Sequence, residues 1–206
     1  MDITTLGAFV AASMLLLAIP GPTVLLIVAY AISQGRRVAL SIAAGVALGD
    51  LVAMTASLAG IGALLMTSAT LFTLLKWIGA AYLLWLGISL WRAGGSVLAQ
   101  AEPEPVAAGT VFRRAFVVTA LNPKSIAFFV AFVPQFIDPG AAYAPQAAVL
   151  VSIFVGLAAL NAFGFALLAD HAGSRIRRPS VRRWISRVGG SALVAMAAAT
   201  AATRSA

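Results

Sequence analysis

The chain has 206 residues, of which 62% are hydrophobic and 10% charged, and its formal net charge is +8. A water-soluble core of this size cannot bury so much apolar surface, so the composition predicts an integral membrane protein. The basic residues stand in short clusters between apolar stretches, which argues against a nucleic-acid-binding face and instead indicates topology. Because the chain has no cysteine, it has neither a disulfide framework nor a thiolate metal site.

Six apolar stretches are long enough to cross a bilayer as helices, which takes about 20 residues each. The first lacks a basic flank and exceeds the hydrophobic region of a signal peptide, so it is predicted to be a retained span. The sixth is the weakest, because alanine and threonine dominate its second half. The predicted spans are 5–32, 39–66, 69–91, 114–137, 145–169 and 185–203.

The arginines predict how the chain is oriented. Arg36 and Arg37, the arginines within 92–114, and those within 175–187 all fall in alternate loops. By the positive-inside rule these loops are cytoplasmic, and both termini then lie outside.

Three residues near the ends of the third span are predicted to mark the membrane interface. Lys76 lies at the outer end, where its long stem would snorkel toward the headgroups. Trp77 and Trp91 lie near opposite ends and are typical interfacial anchors.

The chain is predicted to be a single transmembrane domain, 1–206, made of two halves. Repeat one covers about 1–93, a central cytoplasmic loop about 94–112, and repeat two about 113–206. Each half has three spans, and because that number is odd the second half is inverted relative to the first. The fold class is therefore an all-α membrane protein of about six helices in two inverted three-helix repeats.

The first and fourth spans are each predicted to break at a proline motif. Pro20-Gly21-Pro22 interrupts one and Asn122-Pro123-Lys124 the other. Proline lacks an amide hydrogen, so Pro20 and Pro22 free the carbonyls of residues 16 and 18, and Pro123 that of residue 119. In lipid, freed carbonyls must face protein or a water-filled cavity.

Four dissimilar features are predicted to share one depth in the membrane. Pro22, Asp50, Lys124 and Asn161 each lie about 10 residues from the cytoplasmic end of their span, or roughly 16 Å at 1.5 Å per residue. A buried carboxylate must be paired, protonated or hydrated, and Lys124 is the predicted partner of Asp50. The pattern predicts a polar site at the midplane.

The restarted helices add donors to this site. A helix N-terminus presents unpaired amides with partial positive charge, here around Thr23 and Ser125, and such ends favour a carboxylate. By contrast, Gly45 and Gly49 form a GxxxG pattern that is predicted to serve helix packing.

Several motifs together resemble the lysine exporter and homoserine/threonine resistance (LysE/RhtB) family of small bacterial export permeases. The first two thirds of the chain carry most of the resemblance, and the last third matches thinly. The matching motifs are Pro20-Gly21-Pro22, Gln34-Gly35-Arg36-Arg37, Gly45 through Asp50, Lys76 through Leu83 with Gly87, Leu121-Asn122-Pro123-Lys124, Phe128-Phe129 and Pro134-Gln135-Phe136.

The resemblance implies export of an amino acid or a close derivative across the bacterial inner membrane, driven by the proton gradient and without a cofactor. We expect the substrate carboxylate near Thr23, helped by Lys124, and its ammonium near Asp50, which is also the predicted proton-coupling group. The predicted substrate-binding residues are Pro20, Gly21, Pro22, Thr23, Asp50, Asn122, Pro123, Lys124 and Asn161.

Three other functions fit the sequence less well. A cation or divalent-metal carrier needs clustered oxygen ligands, but Asp50 is the only clear intramembrane acid and Lys124 would repel a cation. An intramembrane enzyme needs a nucleophile with a base, or a metal set, and the sequence contains no GxSxG or HExxH motif. A non-catalytic assembly subunit would leave the buried charges unexplained. A homodimer formed through small-residue helix faces is expected to be feasible.

Overall fold

A computed structural model describes residues 1–19, 21–34, 38–93, 107–176 and 179–202. The described residues form helices and no strand. The helices are α1 (Ile3–Ala18), α2 (Pro22–Gln34), α3 (Ala39–Thr67), α4 (Ala69–Ala93), α5 (Ala108–Ala120), α6 (Pro123–Ala131), α7 (Tyr143–Ile176) and α8 (Pro179–Ala202), with a short 3-10 helix at Val133–Phe136 after α6.

Both predicted helix breaks are confirmed. The axes of α1 and α2 differ by 60°, and those of α5 and the segment after it by 43°. In the described part of the chain, three helices are long and apolar enough to cross a membrane alone, and counting each bent pair as one span gives five. The predicted sixth span falls on α8, which is not among these five, so the six-span count stays a prediction.

The helix α5 begins earlier in the chain than the sequence analysis predicts. Residues 108–112, placed in the central loop, instead form the first turns of α5. They do so because Val111 and Ala115 are buried one turn apart, while Arg113 and Arg114 remain exposed. The rest of that loop, 94–106, and the Arg36-Arg37 pair lie outside the described residues.

A side chain caps the N-terminus of α1. Asp2 is the N-cap of α1, and its carboxylate accepts a 2.6 Å hydrogen bond from the Thr5 amide. This backbone bond holds the pKa of Asp2 below its usual range. Phe9, Ser13 and Leu16 follow at helical spacing and are buried, so they turn one face of α1 into the bundle.

The GxxxG pattern of α3 packs against α5, as predicted. A Cβ atom on Gly45 would lie 2.5 Å from the Phe112 carbonyl oxygen, and one on Gly49 would lie 2.8 Å from that of Phe116. The two glycines therefore allow the backbones of α3 and α5 to approach closely. This contact fixes Asp50, the next residue of α3, against the second broken helix.

The helices α4 and α8 cross at a pair of glycines. A Cβ atom on Gly87 would lie 2.8 Å from the Gly190 carbonyl oxygen, and a Cβ on Gly190 would lie 2.6 Å from that of Gly87. The two glycines therefore allow the backbones of α4 and α8 to approach closely. Gly87 and Gly190 belong to different predicted repeats, and the division into two inverted repeats stays a prediction.

The interfacial predictions had mixed outcomes. Trp77 and Trp91 are both about half exposed, as expected for anchors at the edge of a bundle. Lys76 is only 6% exposed, so the prediction that it snorkels outward is wrong. Its side chain instead lines a cavity of about 1020 Å³ near the C-terminal part of α3 and the start of α7.

The close crossing of α4 and α8 predicts a specific sensitivity to side-chain size. Gly87→Ala should lower the free energy of unfolding by about 1–3 kcal/mol, because the added methyl group overlaps the Gly190 carbonyl. Thermal unfolding of the purified protein in detergent measures this effect. Gly156→Ala is the matched control, since a Cβ there meets nothing within 4 Å. Equal melting temperatures for the two variants would contradict the close crossing.

Candidate functional site

The end of α1 presents backbone carbonyls that no helix continues to bond. The Leu16 oxygen accepts a 3.2 Å bond from the Ile19 amide and a 2.9 Å bond from Lys124 Nζ. The Ile19 oxygen accepts a second 2.9 Å bond from Lys124 Nζ, and the Leu17 oxygen lies 3.4 Å from Asn161 Nδ2. The expectation that the Leu16 carbonyl needs a partner outside its helix is confirmed, and the partner comes from the other half of the chain.

The second break is closed by its own asparagine. Asn122 is the N-cap of α6, and its Oδ1 accepts a 3.1 Å bond from the Lys124 amide. The backbone N–H of Asn122 donates to the backbone carbonyl oxygen of Thr119 at 3.1 Å. This bond satisfies the carbonyl to which Pro123 cannot donate. A proline in the first turn is compatible with the restarted helix, because that position needs no amide hydrogen.

A threonine and the asparagine link the two breaks directly. Asn122 Nδ2 donates to Thr23 Oγ1 at 3.2 Å, and Thr23 Oγ1 lies 3.3 Å from Thr119 Oγ1. Thr23 belongs to the first turn of α2 and Thr119 to the last turn of α5. The start of one restarted helix is thus hydrogen-bonded to the other broken span.

These groups converge on one small cavity of about 20 Å³. That volume is about what one water molecule requires. Five of the predicted site residues line it together, which agrees with the common depth inferred from residue counting. They are Thr23, Asp50, Asn122, Lys124 and Asn161.

The remaining predicted site residues have different positions. Gly21 is buried, and a Cβ there would lie 3.5 Å from Lys124 Cε and Nζ, so the lysine stem packs over it. Pro22 and Pro123 are exposed and do not line the cavity. They act on the site by ending helices. Pro20 lies outside the described residues.

Lys124 is the expected partner of Asp50, but its hydrogen bonds go to backbone carbonyls. The two side chains line the same cavity, but within the described part of the chain Asp50 Oδ1 has no hydrogen-bond partner. The Lys124 ammonium donates instead to the Leu16 and Ile19 carbonyls. Asp50 is 2% exposed, so an unbonded acceptor oxygen is held inside the bundle.

Sequence reasoning missed part of the site. Ile19 was not singled out, because a backbone carbonyl carries no signal in the residue type. Thr119 was named only for its carbonyl, and its hydroxyl contact with Thr23 depends on how two helices meet. The apolar wall includes Val24, Val46 and Ala158, whose side chains look like ordinary span residues in the sequence.

The cavity offers little to a metal ion. Asp50 is the only acidic residue among those that line it. Across the described ranges, no three side chains of histidine, cysteine, aspartate or glutamate lie close enough together to hold one. What the cavity does provide is a carboxylate, an ammonium group, amides and hydroxyls in a closed, largely apolar setting.

The chain was compared with known families and proteins. Residues 14–203 match the LysE type translocator family. The chain belongs to this family. It is 36% identical to an uncharacterized membrane protein of Vibrio cholerae over 191 residues, which cover 93% of each chain. No solved structure matches the translocator.

Relatives of this translocator are named as efflux proteins. It is 33% identical over 199 residues to the homoserine/homoserine lactone efflux protein of Salmonella typhimurium, with 96% of each chain covered. It is 36% identical over 138 residues to the leucine efflux protein of an Enterobacter species, covering 65% of this chain and 64% of the relative. The family and these relatives are transport proteins, which agrees with the prediction that the chain is not an enzyme.

The cap of α6 predicts how Asn122 variants behave. Asn122→Ala should lower the free energy of unfolding by about 1 kcal/mol, because the Lys124 amide loses its acceptor. Asn122→Ser is the matched control, since serine retains a capping oxygen. Thermal unfolding in detergent compares the two, and equal losses would show that capping is not the role of Asn122.

Proposed function

We propose that the translocator exports an amino acid or a close derivative from the cytoplasm across the bacterial inner membrane, by proton antiport with alternating access. The observation that carries this proposal is the convergence of Thr23, Asp50, Asn122, Lys124 and Asn161 on one closed cavity between two broken helices. Broken helices near the midplane are a recurring site architecture in secondary transporters. The names of the homoserine and leucine efflux relatives support the substrate class.

The groups around the cavity suit a small zwitterion. The first turn of α2 begins at Pro22 and presents amides that favour a carboxylate, and Lys124 lies beside it. Asp50 Oδ1 is an acceptor without a hydrogen-bond partner in the described part of the chain, which suits an ammonium group. In this arrangement the substrate bridges the two halves.

A cavity of about 20 Å³ is far smaller than the several hundred Å³ typical of small-molecule pockets. Substrate entry therefore requires the halves to separate, and the helix breaks are natural hinges because fewer backbone bonds cross them. The reciprocal Gly87–Gly190 contact supports two inverted halves that could rock about their interface.

In the proposed cycle, Asp50 is the proton-coupling group. Its charged form holds the substrate ammonium, and protonation from outside weakens that hold and favours outward release. The proposed orientation places both termini outside the cell membrane and the arginine-rich loops on the cytoplasmic side. A homodimer remains a prediction from the small-residue faces.

Asp50→Asn tests the coupling role. The amide cannot take up the proton, so accumulation driven by a pH gradient in proteoliposomes should fall by about tenfold or more, whereas exchange of labelled for unlabelled substrate persists. Asp2→Asn is the control, because Asp2 is an exposed carboxylate at the start of α1. Full gradient-driven accumulation by Asp50→Asn would remove Asp50 from the coupling mechanism.

A growth screen tests the substrate class. Cells that overexpress the translocator should resist toxic concentrations of homoserine, leucine or their analogues, and Asp50→Asn should remove this protection. Protection against metal salts alone would support the metal-carrier alternative and overturn the proposal.

A further inference from the structure

Lys124 holds a position that a substrate ammonium could also occupy. Its Nζ lies 2.9 Å from the Leu16 oxygen and 2.9 Å from the Ile19 oxygen. Both carbonyls belong to the C-terminal end of α1, where the helix dipole is negative and favours cations. We call these two oxygens the carbonyl pair.

Asp50, which supplies a third acceptor, lines the same small cavity as Leu16 and Lys124. Asp50 Oδ1 has no hydrogen-bond partner among the described residues. An ammonium group has three N–H donors. The carbonyl pair and Asp50 together offer three oxygen acceptors, of which Lys124 uses two.

From this geometry we infer that the carbonyl pair and Asp50 form a subsite for a primary ammonium group, and that Lys124 occupies it as a tethered competitor until substrate displaces it. The inference rests on the proposed function, since it specifies how that site recognises its substrate. Once displaced, the Lys124 ammonium is free to meet the substrate carboxylate. Selectivity for the substrate then depends on the N–H donors of its ammonium group as well as on the charge of that group.

Lys124 also links the two halves of the chain. Lys124 starts α6 in the second half, and the carbonyl pair ends α1 in the first half. Its two hydrogen bonds therefore hold the two broken spans together. A substrate ammonium replaces these bonds with equivalent ones and releases α6 from α1.

Lys124→Met separates this role from simple carboxylate binding. Methionine keeps an unbranched side chain but cannot donate to the carbonyl pair. Three probes divide the substrate into its parts: L-leucine, isoamylamine, which lacks the carboxylate, and isocaproate, which lacks the amine. Calorimetric titration of the purified full-length protein in detergent measures the Kd of each.

The expected result is opposite for the two partial probes. Isoamylamine should bind Lys124→Met more tightly than the wild type, by about tenfold if Lys124 occupies the subsite in about nine of ten molecules. Isocaproate should bind more weakly, because its carboxylate loses the lysine. Unchanged or weaker isoamylamine binding would overturn the inference. Lys76→Met is the matched control, since Lys76 is equally buried but lines a different cavity, and it should leave all three Kd values unchanged.

Two further measurements keep the test decisive if Lys124→Met does not fold. Lys124→Leu likewise has no N–H donor in its side chain, so it should shift isoamylamine binding in the same direction. In the wild type, N-trimethylated leucine has no N–H to donate, so it should fail to compete with L-leucine, and equal competition would overturn the subsite. If the wild type exports no amino acid at all, the proposed function fails, whereas export with unchanged isoamylamine binding removes only the role of Lys124.

Discussion

The structure depends on one constraint, which is that a helix interrupted inside a membrane must still satisfy its backbone carbonyls. Water is scarce at that depth, and each unsatisfied group costs several kcal/mol. Here the carbonyls of Leu16 and Ile19 are satisfied by Lys124, and that of Leu17 by Asn161. Both donors come from the other half of the chain, so packing of the two halves stabilises the first break.

The second break is built differently, and the difference explains how the site is arranged. The side chain of Asn122 caps α6, and its backbone N–H satisfies the Thr119 carbonyl that Pro123 leaves free. The first break has no such local cap among the described residues, and its hydrogen-bond donors come from the other half of the chain. One broken span is therefore self-sufficient and carries the donating lysine, whereas the other presents acceptors. This asymmetry brings the carboxyl group of Asp50 and the ammonium group of Lys124 to one cavity, while the lysine donates to backbone carbonyls.

Residue counting led to the expectation that Asp50, Lys124 and Asn161 lie together, and they do line one cavity, but it did not predict which atoms would meet. Asp50 and Lys124 do share a cavity, as their common depth indicated. The count ignored backbone carbonyls, and these are the groups to which the lysine donates. Lys76 was misplaced for a related reason, since its distance from the helix end is visible in the sequence but the direction of its side chain is not. The close contact of Gly45 and Gly49 was predictable, because small residues at that spacing have few other uses in a membrane.

The sequence by itself determined that this is a helical membrane protein and where its first and fourth predicted spans break, and it predicted which polar residues would come together. These properties follow from composition, proline chemistry and the fixed rise of a helix, all of which are local. Only the tertiary structure decided that Lys124 bonds to the end of α1, that Asp50 Oδ1 has no hydrogen-bond partner among the described residues, and that the cavity is about the size of one water molecule. Those facts depend on the distance between residues more than 100 positions apart in the chain, and that distance is set by how the helices pack.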